Sequence, residues 1–250
     1  MLAGLIGIGG GVVIVPLVFY GLIEGGTPAD QAAHVAVGTS LAAILPAALV
    51  SSVAHWRAGN TDIRFLRDWG PGIATGVVVA QLAAPHVRGS VMTGLFALLC
   101  LIFAARFAFP TRFGPMKERS PAGGFPIIAG AAIGLSSGLA GVGGGILTNI
   151  IMTLAGMPMH KSIGRAAAVG VVVSLPATIV AAFATGGSAP TQLGSIDLAV
   201  WASVAPAQTV TAWFGARLAQ RVPADNLSRI MALALLTTGA VMLHSSVVGR

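Results

Sequence analysis

Two stretches concentrate the residues that could do chemistry. "GIGGGVVIVPLV" places Gly9, Gly10 and Gly11 in an otherwise apolar segment, and "GVGGGILTNIIM" repeats the pattern at Gly143, Gly144 and Gly145, followed by Thr148 and Asn149. Glycine accepts positive φ and close backbone approach, so three in a row suit a sharp turn. Kept inside a continuous helix they would cost about 1 kcal/mol each. A helix that restarts after such a turn, near Val12 and again near Ile146, presents free N–H groups and the positive end of its dipole. That combination binds anions. The competing reading is packing, in which glycines let two helices approach closely.

Side chains near these turns extend the chemistry. Thr39 and Ser40 stand about ten residues into an apolar segment that starts near Asp30, deep enough to reach a membrane midplane and offer hydroxyls to an oxyanion. Thr148 and Asn149 occupy the first turns after the second glycine run, and a buried amide requires a partner. Arg165 either snorkels to the surface or turns inward, where its guanidinium would bind sulfonate-type oxygens in bidentate fashion. Lys161 reads as an interfacial anchor and His34 as an interfacial residue that could titrate or touch an anion. Asp62 and Asp197 follow glycines in equivalent loops and read as helix caps. HExxH does not occur, and although Gly134 to Gly138 ("GLSSG") spells G-x-S-x-G, the histidines sit at element ends rather than at depth, so Ser136, Ser137, His160 and His244 form no evident hydrolase dyad. The sequence calls for no metal and no cofactor.

These residues must be positioned inside a bilayer. The 250 residues are 55% apolar and 8% charged, with a mean hydropathy of +0.88, too few charges to cover a soluble domain. The net charge of +7 lacks the aromatic-lined basic groove that nucleic acid requires, so topology explains it. The lone Cys100 can form no internal disulfide and reads as packing. The first residues carry no basic n-region or cleavage site, so the first apolar segments are expected to direct insertion. Apolar elements fall near 1–22, 30–54, 70–86, 89–110, 124–155, 163–185, 196–219 and 226–248.

The second half repeats the first. Beyond the glycine motif, the Pro28 to Pro46 spacing of 18 recurs as Pro158 to Pro176, and Gly59-x-x-Asp62 with Pro71 recurs as Gly194-x-x-Asp197 with Pro206. The division is a first repeat over 1–110, a basic linker over 111–123 and a second repeat over 124–250. Three residues precede Gly4 where thirteen apolar residues precede Gly138, so the first arm of the first repeat reads as short. If all eight elements cross, basic residues divide eight against six. If each glycine element instead enters and turns back, twelve lie on one side, against Arg88 and Arg250. Only the second count obeys the positive-inside rule. The expected fold is therefore an all-α polytopic membrane protein of two inverted repeats, each a re-entrant Gly-rich broken helix plus three transmembrane helices. The 105–124 loop is then cytoplasmic and the protein sits in the cell (inner) membrane.

The doubled glycine motif, the Pro-led helix with "HVAVGTSLAAILP" and the Gly-x-x-Asp loops resemble the sulfite exporter TauE/SafE family over essentially the whole chain. That resemblance implies a transporter of sulfite, sulfonates or related organosulfur anions, with a small anionic substrate and the lipid bilayer as its partners. The second copy departs from it, because Ala168 to Val172 ("AVGVV") replaces "VGTSL" and lacks the hydroxyls. The ligand cage is then asymmetric. No Asp or Glu falls near the middle of an element, so ion coupling through a carboxylate is not expected, and an inside-negative potential would drive anion export. An anion channel shares the expected architecture; an intramembrane hydrolase is the more distant alternative.

Overall fold

The computed structural model describes residues 10–108, 124–184, 190–219 and 224–248, so Gly9 and the 111–123 linker lie outside the described residues. Nine α-helices account for nearly all of them: α1 (Gly11–Glu24), α2 (Ala29–Arg57), α3 (Ile63–Ala83), α4 (Gly89–Ala108), α5 (Phe125–Ala140), α6 (Gly145–Leu154), α7 (Met159–Phe183), α8 (Leu198–Ala219) and α9 (Ala224–Val248). Six of these have 20 to 29 residues, long enough for a hydrocarbon core of about 30 Å. By length and composition, Ala29–Arg57, Gly89–Ala108 and Lys161–Phe183 qualify most clearly as spans. α1, α5 and α6 have only 14, 16 and 10 residues, and none reaches that length.

The outer surface is that of a protein in lipid. Leu17, Leu82, Ile128, Phe183 and Leu233 are all largely exposed, far more apolar area than a water-facing monomer carries. α2 runs through the middle. It packs against α1, α7 and α8, and its small residues Ala32, Ala36, Ala43 and Ala47 are all buried. One apolar cluster joins α1, α4 and α9 around Phe96, Cys100 and Met242, and a second joins α3, α5 and α7 around Trp69, Ile73 and Val173.

The repeated landmarks take the same local structure in both halves. α2 and α7 each start after a proline in extended conformation, Pro28 (ψ 140°) and Pro158 (ψ 139°). The turns before them close on a positive-φ glycine, Gly26 and Gly156. Pro46 and Pro176 lie inside α2 and α7, and Pro71 and Pro206 inside α3 and α8. Gly59 and Gly194 both have positive φ, and the aspartate three residues later caps the next helix. Asp62 accepts from the Arg64 N–H, whereas Asp197 accepts from both Ala199 and Val200 N–H at 3.0 Å.

Two details differ from the sequence reading. α3 begins at Ile63, seven residues ahead of the apolar run at 70, because the Asp62 cap starts it within the polar "IRFLRD" turns. In addition, the loop before α8 forms a short antiparallel ladder, β1 (Gln192–Leu193) with β2 (Ile196–Asp197), in which Gln192 faces Asp197. Gly194 is required at its tip: its φ is +59° and a Cβ would lie 2.2 Å from the Ala181 carbonyl. Asp197 is buried with two cap bonds and Asp62 is exposed with one. Asp197→Ala should therefore lower the unfolding midpoint by the equivalent of about 1–2 kcal/mol, and Asp62→Ala by half that or less. Thermal melts in detergent read the difference, and Asp197→Asn should recover most of the loss.

Candidate functional site

Both glycine runs end in helix starts. α1 begins at Gly11 behind Gly10 (φ 77°), and α6 begins at Gly145 behind Gly144 (φ 73°). Gly141 and Gly143, at φ 73° and 71°, complete the turn between α5 and α6, a backbone path that strongly disfavours any residue with a Cβ. The two starts converge. A Cβ on Gly11 would lie 2.5 Å from the Gly141 carbonyl oxygen, and Gly144 is only three residues further, at most roughly 11 Å of chain. Around this point α2 crosses α7, where a Cβ on Gly170 would sit 3.2 Å from the Ala48 Cβ.

The α5 end brings carbonyls toward the same place, which would repel an anion. They are tied down. Gly141 and Val142 N–H donate to the Ser137 carbonyl, Gln81 Nε2 donates to the Gly138 carbonyl at 2.8 Å, and Ser40 Oγ donates to the Gly141 carbonyl at 3.0 Å. Three of the carbonyls are thus occupied, and the N–H groups of Gly145, Ile146 and Leu147 at the α6 start have no helical acceptor.

The candidate side chains divide into three groups. Thr39 and Ser40 lie at the centre, but as joints: Thr39 Oγ1 accepts from the Asp197 N–H at 2.9 Å, and Gly38 receives Ser195 so closely that a Cβ would be 2.5 Å from its carbonyl oxygen. The "GTSL" stretch is thus where the β1–β2 loop docks on α2. Thr148 Oγ1 is also engaged, on the Gly144 carbonyl of its own helix. Asn149 and Ser137 differ. Both are buried, at 0% and 1% exposure, and neither Asn149 amide atom nor Ser137 Oγ has a hydrogen-bond partner among the described residues. Ser137 Oγ stands 3.5 Å from where a Cβ on Gly144 would be, beside the α6 start.

Arg165 and His34 are not at the centre. Arg165 sits over the Phe65 ring, 4.8 Å from its centroid, with Nη1 3.7 Å from Met152 Sδ. Met152 is three residues from Asn149 on α6, and Arg165 is three from Ser162 on α7, whose Oγ donates to the Asn149 carbonyl at 3.0 Å. Arg165 therefore lies about one helical turn from Asn149, away from the glycine turn. His34 belongs to a different corner, its Nδ1 against the Asp30 carbonyl and its Nε2 against those of Ala84 and Val87. Lys161 is exposed. Ser136 donates to carbonyls of its own helix and His244 is exposed, while the His160 side chain lies outside the described residues. Gln81 and Ser137 belong with the centre although the sequence reading placed neither there; the signal for Gln81 was one amide in the apolar run "VVVAQLAA".

The broken helix α5–α6, meeting the start of α1 in the buried middle of an apolar helical bundle, belongs to an all-α membrane protein. The chain belongs to the family described as Sulfite exporter TauE/SafE, whose family model matches residues 1–242. It is similar to a "Probable membrane transporter protein" of Haemophilus influenzae, at 28% identity over 244 residues covering 96% of this chain and 92% of that protein. It is also similar to a "Probable membrane transporter protein" of Methanocaldococcus jannaschii, at 26% identity over 179 residues covering 69% of this chain and 63% of that one. No solved structure matches it.

Proposed function

We propose that this membrane transporter carries small sulfur-containing anions, such as sulfite or organosulfonates, outward across the cell membrane by alternating access about the glycine centre. The observation that carries the reading is the convergence of the α1 and α6 starts beside Gly141. Each repeat, 1–110 and 124–250, contributes one broken helix, and the two halves are inverted about the cytoplasmic 111–123 linker. The twelve basic residues on that face raise the local anion concentration, and an inside-negative potential favours outward movement by about 2.3 kcal/mol per charge per 100 mV.

A carrier is favoured over a channel by the packing at the centre. Ala48, Val169 and Val173 are buried where α2 crosses α7, leaving the α6 start closed off. Proteoliposomes loaded with sulfite or ethanesulfonate test the reading: efflux should saturate, show counterflow and reverse with imposed voltage. Flux that never saturates favours the channel, and strict dependence on a pH gradient removes the voltage-driven reading.

Arg165 is assigned to capture on the cytoplasmic side rather than to the central site. Its guanidinium lies over the Phe65 ring and beside Met152 Sδ, within reach of the Asp62 charge and one turn from Asn149. Arg165→Ala should raise the KM for anions presented at the cytoplasmic face about ten-fold, the loss of roughly one charge-assisted contact, and leave the KM at the opposite face unchanged. Inside-out and right-side-out vesicles separate the two, and equal KM values on both faces would return Arg165 to a surface anchor.

A further inference from the structure

The balance of donors and acceptors at the α6 start points to a more specific ligand. Gly145, Ile146 and Leu147 offer three N–H donors with no preceding carbonyl in the helix to receive them. Beside them Ser137 Oγ is buried and unpartnered, and Asn149 is buried with both amide atoms unpartnered. Side chains on a helix lean toward its N-terminus, which carries the Asn149 amide back over the free N–H groups. Val15, the residue matching Asn149 in the first half, also reaches the glycine centre, its Cγ2 2.9 Å from where a Cβ on Gly141 would be.

An amide differs from the backbone donors in one respect. Its nitrogen gives two hydrogens, but its oxygen can only accept. An anion that brings acceptors alone satisfies the N–H groups and leaves Asn149 Oδ1 buried without a donor. We infer that the ligand of this site is an anion that carries its own hydrogen-bond donor beside the charged oxygens, with Asn149 Oδ1 receiving that donor while Asn149 Nδ2 and the α6 N–H groups hold the oxyanion. Two sources supply such chemistry: a singly protonated inorganic oxyanion, or a short sulfonate bearing a hydroxyl or ammonium group. The inference rests on the anion reading above. Valine at the matching position of the first half makes the donor contact one-sided, so the ligand binds in one orientation.

Matched probes decide it. Titration calorimetry of the purified full chain in lipid nanodiscs compares ethanesulfonate with 2-hydroxyethanesulfonate and 2-aminoethanesulfonate, which share one acceptor head. A further arm titrates sulfite at two pH values, one favouring its singly protonated form and one its fully ionised form, with ethanesulfonate at both pH values as the control. The expected result is about ten-fold tighter binding for at least one donor-bearing probe, the penalty of one unpaired buried acceptor. Preference confined to protonated sulfite identifies the inorganic source, and preference for the substituted sulfonates the organic one. In Asn149→Leu, close in shape but without the amide, discrimination should fall to two-fold or less, with ethanesulfonate itself bound more weakly for want of the Nδ2 donor. Equal affinity of the wild-type chain for plain and donor-bearing probes, with ethanesulfonate clearly bound, overturns this inference and leaves the anion site standing. Failure of every probe to bind removes both. The wild-type comparison stands even if the leucine variant does not fold.

Discussion

Gly134→Ala should lower the midpoint of thermal unfolding by roughly 5–10 °C, from an overpacking cost of about 1–3 kcal/mol in a chain of this size. α3 and α5 pack backbone to backbone along a glycine seam, and glycine makes that approach attainable. A Cβ on Gly134 would stand 2.1 Å from the Ile73 carbonyl oxygen, one on Gly76 2.2 Å from that of Ala131, and one on Gly72 2.2 Å from that of Ile127. These neighbours are backbone, which no rotamer change can clear, so the helices must separate along their whole seam. Lipid offers no hydrophobic force to hold them together once the close packing is lost. Gly94 and Gly21, which have nothing within 4 Å of a built Cβ, supply the controls: alanine there should be neutral or stabilising by up to about 1 kcal/mol. A Gly134→Ala protein that melts like Gly94→Ala would show that the seam does not depend on bare backbone contact.

Glycine serves two separate purposes along α5 and the turn that follows it. Gly130, Gly134 and Gly138 recur every four residues along α5 and do the packing, whereas Gly141, Gly143 and Gly144 take left-handed conformations and make the turn. Residue chemistry that acts locally was legible. The helix starts at Gly11 and Gly145 fall within one residue of the expected Val12 and Ile146, and Asp62 and Asp197 cap the helices they precede. What could not be read were polar contacts between distant segments. Thr39 with Asp197, Ser40 with Gly141 and Gln81 with Gly138 join residues 158, 101 and 57 positions apart, and each partner is a backbone group that leaves no mark on the sequence. For that reason the hydroxyls of Thr39 and Ser40 suggested a ligand or a carbonyl of their own helix, while in the fold they bind one segment of the chain to another. The β1–β2 ladder was missed on the same grounds, since two residues per strand show no alternation.

The second large effect is expected in transport rather than stability. Gly144→Ala should raise the KM for anion transport by ten- to a hundred-fold, corresponding to about 1.4–2.8 kcal/mol of lost interaction with the oxyanion. An L-residue at φ +73° is strained by roughly 1–2 kcal/mol, and the added methyl would meet Val173 Cγ2 at 2.8 Å and Val169 Cγ1 at 3.0 Å. Both valines are β-branched and buried on α7, so they have few rotamers to escape into. The least costly relief is rotation of the peptide units on either side, which re-aims the Gly145 and Ile146 N–H groups and disperses the α6 dipole end from the site. Gly26→Ala separates strain from function. Gly26 has φ +86° and nothing within 4 Å of a Cβ, at the far end of α1, so alanine there carries the same backbone penalty away from the centre. Flux measured in proteoliposomes at matched protein density should then show Gly26→Ala with wild-type KM and Gly144→Ala without it. If both variants lose transport in proportion to their loss of melting temperature, the glycine turn acts as scaffold alone, and the anion is bound by other groups.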